Sequence, residues 1–431
     1  SLRQCFVKIQ SIDDSEISLS NDYFLFDNKR TLKVINQSHL YGPSSGGYEY
    51  IATLDRKIDD ESFTFENLDC AEVKIVNTTI SCYVASHLSM SSSPIRLISK
   101  NDGYVSFSMK RFEVIDNWSE QWTWGCTEFD PCKPVAGDLV EIPKGAKILL
   151  DESTPILKAI LISGGILRIK DDDIALNVQY IIITNGGQLL VGSEQEPITS
   201  KIEINLHGDM SDHQLPLYGS KVIAVHDGKV EMYGQEKQSW TTLSKEASEG
   251  STIIQVDDSS GWKEGDQLVI ATTGGPDSHG ESEKVKIVEI SEDNIRVNRK
   301  LKNKHTYYSV SVEKTGASVT LTAEVINLSR TIVIQGIIGE DKKFGGHLVA
   351  AQNAEKMILS YVEFKNVGQA FQLGRYPIHF HITGNEQKSK LIGCSIHRSF
   401  NRAVTFHAVH HLRAIGNVAY NIIGHAFFLE D

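Results

Sequence analysis

Residues 397–411 read HRSFNRAVTFHAVHH, with four histidines and two arginines in fifteen positions among Phe, Val and Ala. Seven of the chain's fifteen histidines fall between His379 and His425. Imidazole changes charge near neutrality and serves as acid, base or metal ligand. Three readings compete. Coils that stack in parallel place like residues over each other, so the histidines can form a hydrogen-bonded wall with no further role. Outward His, Arg and Glu beside aromatic rings can instead hold a polysaccharide and supply an acid and a base. Two same-face imidazoles in His379-Phe380-His381 can also bind a metal if a neighbouring coil adds a third ligand. No H-E-x-x-H or C-x-x-C motif supports this third reading, so no metal site is assigned. GGPDSHGESE, from Gly274, reads as a solvated turn rather than a cation loop. No G-x-S-x-G, P-loop or dinucleotide fingerprint occurs.

The elements that must position these residues show in a repeat. VGQAFQLG at 367, FNRAVTFH at 400 and IGHAFFLE at 423 align, with intervals of 33 and 23 residues. LIGC at 391 recurs as AIGN at 414, and Gly164-Gly165 recurs as Gly186-Gly187. A period of 22 to 24 residues with three short strands per coil predicts a parallel β-helix, right-handed by the usual chirality of parallel crossovers. In this alignment Phe371 and Leu373, Val404 and Phe406, and Phe427 and Leu429 point inward. Gln369, Arg402 and His425 then form one outward ladder, and Gly374, His407 and Glu430 a second. His379 and His381 share a face opposite Ile378, Phe380 and Ile382, with His410 and His411 at the corresponding place in the next coil. The candidate catalytic residues are therefore His381, Arg402, His407, His425 and Glu430. His379, His410 and His411 are candidate glycan contacts.

The remainder of the chain agrees with an all-β protein. Short Ile-, Val- and Leu-rich runs alternate with Gly, Asn and Asp, and helical periodicity is almost absent. No apolar run is long enough to span a membrane. The formal charge of −12 and the lack of a basic stripe argue against nucleic acid as a partner. Both ends look cut, as in a piece of a longer protein. Cys70 with Cys82, and Cys126 with Cys132, flank short loops suited to disulfides. Cys5 has no evident partner, and Cys394 lies in an apolar run as a buried thiol. Sequons at Asn36, Asn77, Asn117 and Asn327 join the cysteines in pointing to an extracellular or cell-surface setting. Trp118, Trp122 and Trp124 are read as an apolar plug over the first coil, in preference to a sugar platform.

Several motifs together resemble a known family. Trp118, Trp122 and Trp124, Gly137-Asp138, Pro143, Gly145, Leu150-Asp151, Pro155 and Gly164-Gly165 resemble the eight-glycine (G8) domain shared by fibrocystin, fibrocystin-like proteins and the cell-surface hyaluronidases. GSTIIQVDDSSGWKEGDQLVIATT, GRYPIHFHITGN and NRAVTFHAVHHLRAIGNVAYNIIGHAFFLED extend the resemblance. YGPSSGGYEYIATL and CAEVKIVNTTISCYV are similar to IPT/TIG immunoglobulin-like modules, which precede the G8 domain in fibrocystin-like proteins and not in the hyaluronidases. The resemblance implies IPT/TIG-like β-sandwich modules over 1–112, the first one partial. A G8 domain follows over 113–235 and forms the first solenoid coils. A parallel β-helix over 236–431 is truncated at its C-terminal end. From about residue 135 onward one continuous solenoid is expected. The implied function is a structural, adhesive or receptor role at the extracellular or ciliary surface, with extracellular proteins or glycans as partners. Neither nucleic acid nor membrane contact is expected within this piece, nor a cofactor. The alternative is a depolymerase of hyaluronan-like polysaccharide, for which calcium would be considered.

Overall fold

The computed structural model describes residues 3–5, 9–10, 16–17, 24–26, 31–38, 41–58, 62–85, 95–100, 103–108, 112–125, 132–291 and 294–430. The described residues hold strands and two short 3-10 turns, without an α-helix. The chain divides into two units, Ser1–Asp116 and Asn117–Asp431.

In the first unit a five-stranded sheet and a three-stranded sheet share one core. Tyr50, Ala52, Ile80 and Cys82 come from the larger sheet, and Phe63 and Leu97 from the smaller. Cys70–Val76 and Thr79–Val84 form a hairpin closed by the Cys70–Cys82 disulfide, with its Cα atoms 5.5 Å apart. Asn36 and Asn77 are exposed, and Asn77 takes the left-handed conformation (φ 57°) its turn requires.

The second unit is a parallel solenoid. Each full coil adds one strand to each of three stacks. The first stack runs through Leu139–Pro143, Leu157–Ser163, residues 180–184, Val222–Val225, His347–Ala350, Ile378–Asn385, Val404–His410 and Phe427–Glu430. The second runs from Lys147–Leu150 to Arg413–Ile415, and the third from residues 174–178 to Val418–Ile422. Apolar residues two apart on the first stack point inward and stack from coil to coil. One column is Val140, Ile160, Ile181, Ile223, Leu348, Ile378, Val404 and Phe427. The other is Ile142, Ile162, Ile183, Val225, Ala350, Phe380, Phe406 and Leu429. Both belong to one continuous core, with Phe406 half-buried in the seventh coil and Phe427 and Leu429 exposed in the last described coil, with no described strand over them.

The paired glycines have a steric reason. A Cβ on Gly187 would sit 2.2 Å from the Ile162 carbonyl oxygen, and one on Gly228 would sit 2.4 Å from that of Gly187. Corners of successive coils approach too closely there for any side chain. Trp118 is fully buried in the solenoid core, and the Trp124 ring packs edge-on at 4.7 Å. Trp122 is 51% exposed and takes no part in that plug.

The solenoid is not continuous. Between the second and third strands of its fourth coil, Gly228–Tyr233 and Ile332–Gly336, the chain leaves to build a separate antiparallel barrel. Its six strands run in the order Trp240–Thr242, Glu324–Asn327, Gln267–Ile270, Glu283–Ser291, Asn294–Val297, Ile253–Gln255. The sheet closes at the Leu243–Val256 bridge around Trp262, Leu268, Ile270, Val285 and Val325. The stretch with the Trp-x-x-Gly-Asp turn thus belongs to this barrel and not to a coil. Its alternating residues fit either structure, because a period of two does not specify a parallel or antiparallel partner. Asn327 is fully buried, with Nδ2 donating to Asp266 Oδ2 at 2.8 Å, so it is excluded as a glycan acceptor in the folded protein.

Candidate functional site

The outward faces of the first stack carry the site. In the sixth to eighth coils the register is Ile378–Val404–Phe427, His379–Thr405–Phe428, Phe380–Phe406–Leu429 and His381–His407–Glu430. His407 and Glu430 share a column as the 23-residue interval requires. The octet at 367 does not belong to it. Phe371 and Leu373 are 95% and 82% exposed, on a loop that precedes the strand. Gln369 is buried, with Nε2 donating to the Ser220 carbonyl at 2.9 Å, and Gly374 accepts from His379 Nδ1 at 3.1 Å. The expected ladders through Gln369 and Gly374 are therefore replaced by one through His379 and His381.

Three imidazoles gather on this face. The His379 and His381 rings are 5.0 Å apart, and the His381 and His407 rings 5.1 Å, both edge-on. His379 and His407 are parallel at 6.3 Å. Burial, reinforced by His381, pushes the His379 pKa down to about 3, so the ring is neutral. Its Nδ1–H is used on Gly374, and its buried Nε2, left as an acceptor, has no hydrogen-bond partner among the described residues. Burial and then His407 also lower the His381 pKa.

One cation, Arg375, lines the groove, and a second, Arg402, contacts its wall residues Tyr376 and Glu430. The Arg402 guanidinium lies 3.7 Å from the Phe428 ring centroid and 5.2 Å from that of Tyr376, a cation–π sandwich. Its Nη1 donates to the Tyr376 hydroxyl at 3.2 Å and to Glu430 Oε2 at 3.4 Å. Arg402 thus meets Tyr376, Phe428 and Glu430 instead of Gln369 and His425. Arg375 lies on the wall with its Nη1 on the Leu217 carbonyl. The groove has a volume of ≈ 270 Å³ and is walled by Tyr218, Arg375, Tyr376, His379, His381 and His407, with Glu430 at its end.

The other expected residues lie elsewhere. A bulge between His381 and Gly384 shifts the register, so that His410 pairs with Asn385 and the His411 ring bonds Asn385 Oδ1 at 3.1 Å. Both are exposed and do not line the groove, and the same bulge turns Ile382 outward at 42% exposure. His425 is exposed against Phe428, with ring centroids 5.0 Å apart. Sequence reasoning missed Arg375, Tyr376 and Tyr218. The first two adjoin the histidine strand in GRYPIHFH, which was their available signal, whereas Tyr218 comes from two coils below and had none. No group of three His, Cys, Asp or Glu among the described residues is arranged to hold a metal. No helix among them is long and apolar enough to cross a membrane. Cys132 is disulfide-bonded, and its expected partner Cys126 lies outside the described residues. Cys394 is a buried free thiol with its pKa pushed up by burial to about 12.

Comparison with known proteins agrees with this architecture. Residues 123–244 match the G8 domain, and residues 343–431 match the CEMIP beta-helix. Fibrocystin-L of Homo sapiens is 34% identical over 98% of this chain, which covers 11% of that protein. Fibrocystin of Canis lupus familiaris is 30% identical over 72% of this chain and 8% of that protein, and protein rliB of Dictyostelium discoideum 29% over 73% and 28%. Among solved structures, the gp54 tailspike of Acinetobacter baumannii bacteriophage AP22, in complex with A. baumannii capsular saccharide, is 11% identical with a TM-score of 0.20, covering 61% of this chain and 39% of that one. That likeness is too slight to bear on chemistry.

Proposed function

Because the chain belongs to the fibrocystin-like family, we propose that it is the recognition segment of an extracellular or ciliary-surface protein with an adhesive or receptor role. In this role the sixth to eighth coils of its β-helix hold an acidic glycan. The groove beside Arg402 carries the reading. The Arg375 guanidinium, three imidazoles, Tyr218 and Tyr376 line the groove with one described carboxylate, Glu430, which a second guanidinium, Arg402, engages from beside it. Guanidinium matches a sugar carboxylate or sulfate in two-point geometry, and aromatic faces match the sugar ring. The Cys70–Cys82 disulfide supports an oxidising, extracellular compartment. The two-sheet first unit supports an IPT/TIG-like module ahead of the G8 domain. Depolymerisation is the less favoured reading, since glycoside hydrolysis ordinarily needs two free carboxyl groups flanking the bond.

The test is titration of acidic and neutral oligosaccharides into the protein, with polymer length followed in parallel. Acidic oligosaccharides should bind, and Arg402→Ala should weaken them by about tenfold, the loss of one charge-assisted contact. Saturable binding to no acidic glycan would refute the reading. Shortening of the polymer would replace it with the depolymerase.

A further inference from the structure

On a different face of the solenoid, where the barrel is rooted, two adjoining cavities share Tyr361 and Ile392. Their volumes are ≈ 220 Å³ and ≈ 120 Å³. Three aromatic residues line them: Tyr233 and Tyr361 from the solenoid and Trp240 from the first barrel strand, the last 46% exposed. None of the residues implicated in the histidine groove takes part.

Tyr361 is held there against its own backbone preference. Its φ is 53°, a left-handed conformation that a bulky residue adopts at a cost. Two glycines make room for it. A Cβ on Gly234 would lie 2.3 Å from the Tyr361 carbonyl oxygen, and one on Gly393 would lie 2.3 Å from the ring. The phenol is fixed at its far end by donation to Glu236 Oε1 at 3.0 Å. Burial and that carboxylate push its pKa up to about 12, so it remains a donor. The conformation sets one ring between the two cavities, where it forms part of both walls.

The polar groups around the rings are mixed. Glu194 is 3.5 Å from Lys390, with both at the first cavity. Glu236 accepts from Tyr361, and Tyr233 donates to Glu231 at 3.4 Å. The amines on the groove wall are already paired, Lys390 with Glu194 and Lys237 with Asp266, so the described lining offers no free cation to an anionic ligand. Donors and acceptors both line the groove, with serine hydroxyls at Ser193 and Ser360 adding both. A sugar hydroxyl also donates and accepts, and the apolar face of a pyranose ring packs on indole and phenol. We propose that this groove is a second saccharide site, selective for an uncharged glycan, with Tyr361 and Trp240 as its stacking platforms and Glu236 as a hydroxyl acceptor. The protein then carries two recognition surfaces of different electrostatic preference. This site does not depend on the histidine groove, and either can fail alone.

The test uses the whole 431-residue protein. Neutral tetrasaccharides (cellotetraose, chitotetraose and mannotetraose) are titrated by calorimetry and by tryptophan fluorescence, with hexalysine and an acidic tetrasaccharide as competitors. At least one neutral glycan should bind saturably. Trp240→Ala, at an exposed position, should weaken it by about tenfold, as for loss of a stacking ring, and Tyr361→Ala by at least as much. Arg402→Ala should leave that binding unchanged. If Tyr361→Ala does not fold, Tyr361→Phe replaces it and should weaken binding by about threefold through the lost Glu236 anchor. Absence of saturable binding by all three neutral glycans overturns the proposal, as does binding that Trp240→Ala leaves intact. Displacement by hexalysine but not by free sugar would assign the groove to a cationic peptide and overturn it equally.

Discussion

The solenoid and the barrel inserted into it use the same short β-strands and bury them in different ways. In the solenoid each strand pairs in parallel with the coil before and after, and the core is a set of columns such as Ile181, Ile223, Leu348, Ile378 and Val404. In the barrel every pairing is antiparallel and the sheet returns on itself at Leu243–Val256. Stability in the first is a sum of neighbour terms, so the last coils can open while the others hold. A closed barrel has no end from which to open. The groove chemistry sits on the sixth to eighth coils of the solenoid. The barrel, by contrast, spends its polar residues on its own closure. Glu283 there accepts from the Lys302 and Asn303 amides and from Arg299.

The sharpest way to break this comparison is Phe380→Asp. Phe380 is fully buried between Ala350 and Phe406, and an unpaired carboxylate there should remove roughly 5 kcal/mol through cavity and desolvation together. Hydrogen exchange should show the sixth to eighth coils open while barrel amides stay protected. Simultaneous loss of barrel protection would mean that the two regions are one cooperative unit.

Arg330 is the next test, because it joins them. Its Nε donates to the Gly393 carbonyl in the solenoid at 2.8 Å, and its Nη2 to Ser239 at the barrel root at 3.1 Å. Arg330→Ala removes these bonds and those to the Asn327 and Ser329 carbonyls, and should cost about 3 kcal/mol. Calorimetry should then resolve one melting transition into two. A single unshifted transition would show that the joint contributes nothing.

Acid gives the smallest and most selective effect. His379 and His347 in the solenoid have folded pKa values of about 3, each lowered first by burial, against an ordinary 6.5. The unfolded chain takes up protons that the folded one refuses. Their stabilisation is full above 6.5 and falls as the pH drops toward 3. One pH unit below 6.5 should remove roughly 1 kcal/mol per imidazole. Glu283 behaves otherwise. Burial acts to raise its pKa, but the Lys302 and Asn303 amides, Arg299 and His305 outweigh it and hold it below its ordinary 4.5. Its contribution persists until the pH falls through that lowered value. Between pH 6.5 and 5.5 the solenoid should therefore lose melting temperature and the barrel should not, as read from site-resolved exchange.

What the sequence disclosed follows the same division. The all-β class, the coil period and the His407–Glu430 column were legible because Val404–His410 and Phe427–Glu430 are regular strands separated by an ordinary coil. The Cys70–Cys82 hairpin was legible for a similar local reason. The octet at 367 misled because Phe371 and Leu373 alternate like core residues while lying on an exposed loop, and alternation records spacing without recording burial. The true preceding strand begins at Ile378, offset by a longer turn, and the bulge after His381 moved His410 and His411 off the site. The barrel was hidden because nothing in GSTIIQVDDSSGWKEGDQLVIATT says whether a strand's neighbour lies one coil away or one hairpin away. Tyr218 reaches the groove only through the winding of the chain, whereas Arg375 adjoins the histidine strand in sequence.

The legs of the barrel lie side by side, with the Asn327 amide donating to the Ser239 carbonyl at 2.9 Å. In a protein at a surface under shear, tension enters a chain through its two ends. Such a pull runs along the coils and passes from one leg to the other through that junction, so the barrel hangs beside the load path. Coils would peel in succession and lengthen the chain while the barrel kept its shape. Only when the fourth coil opens would the force reach the barrel, so this coil works as a mechanical fuse.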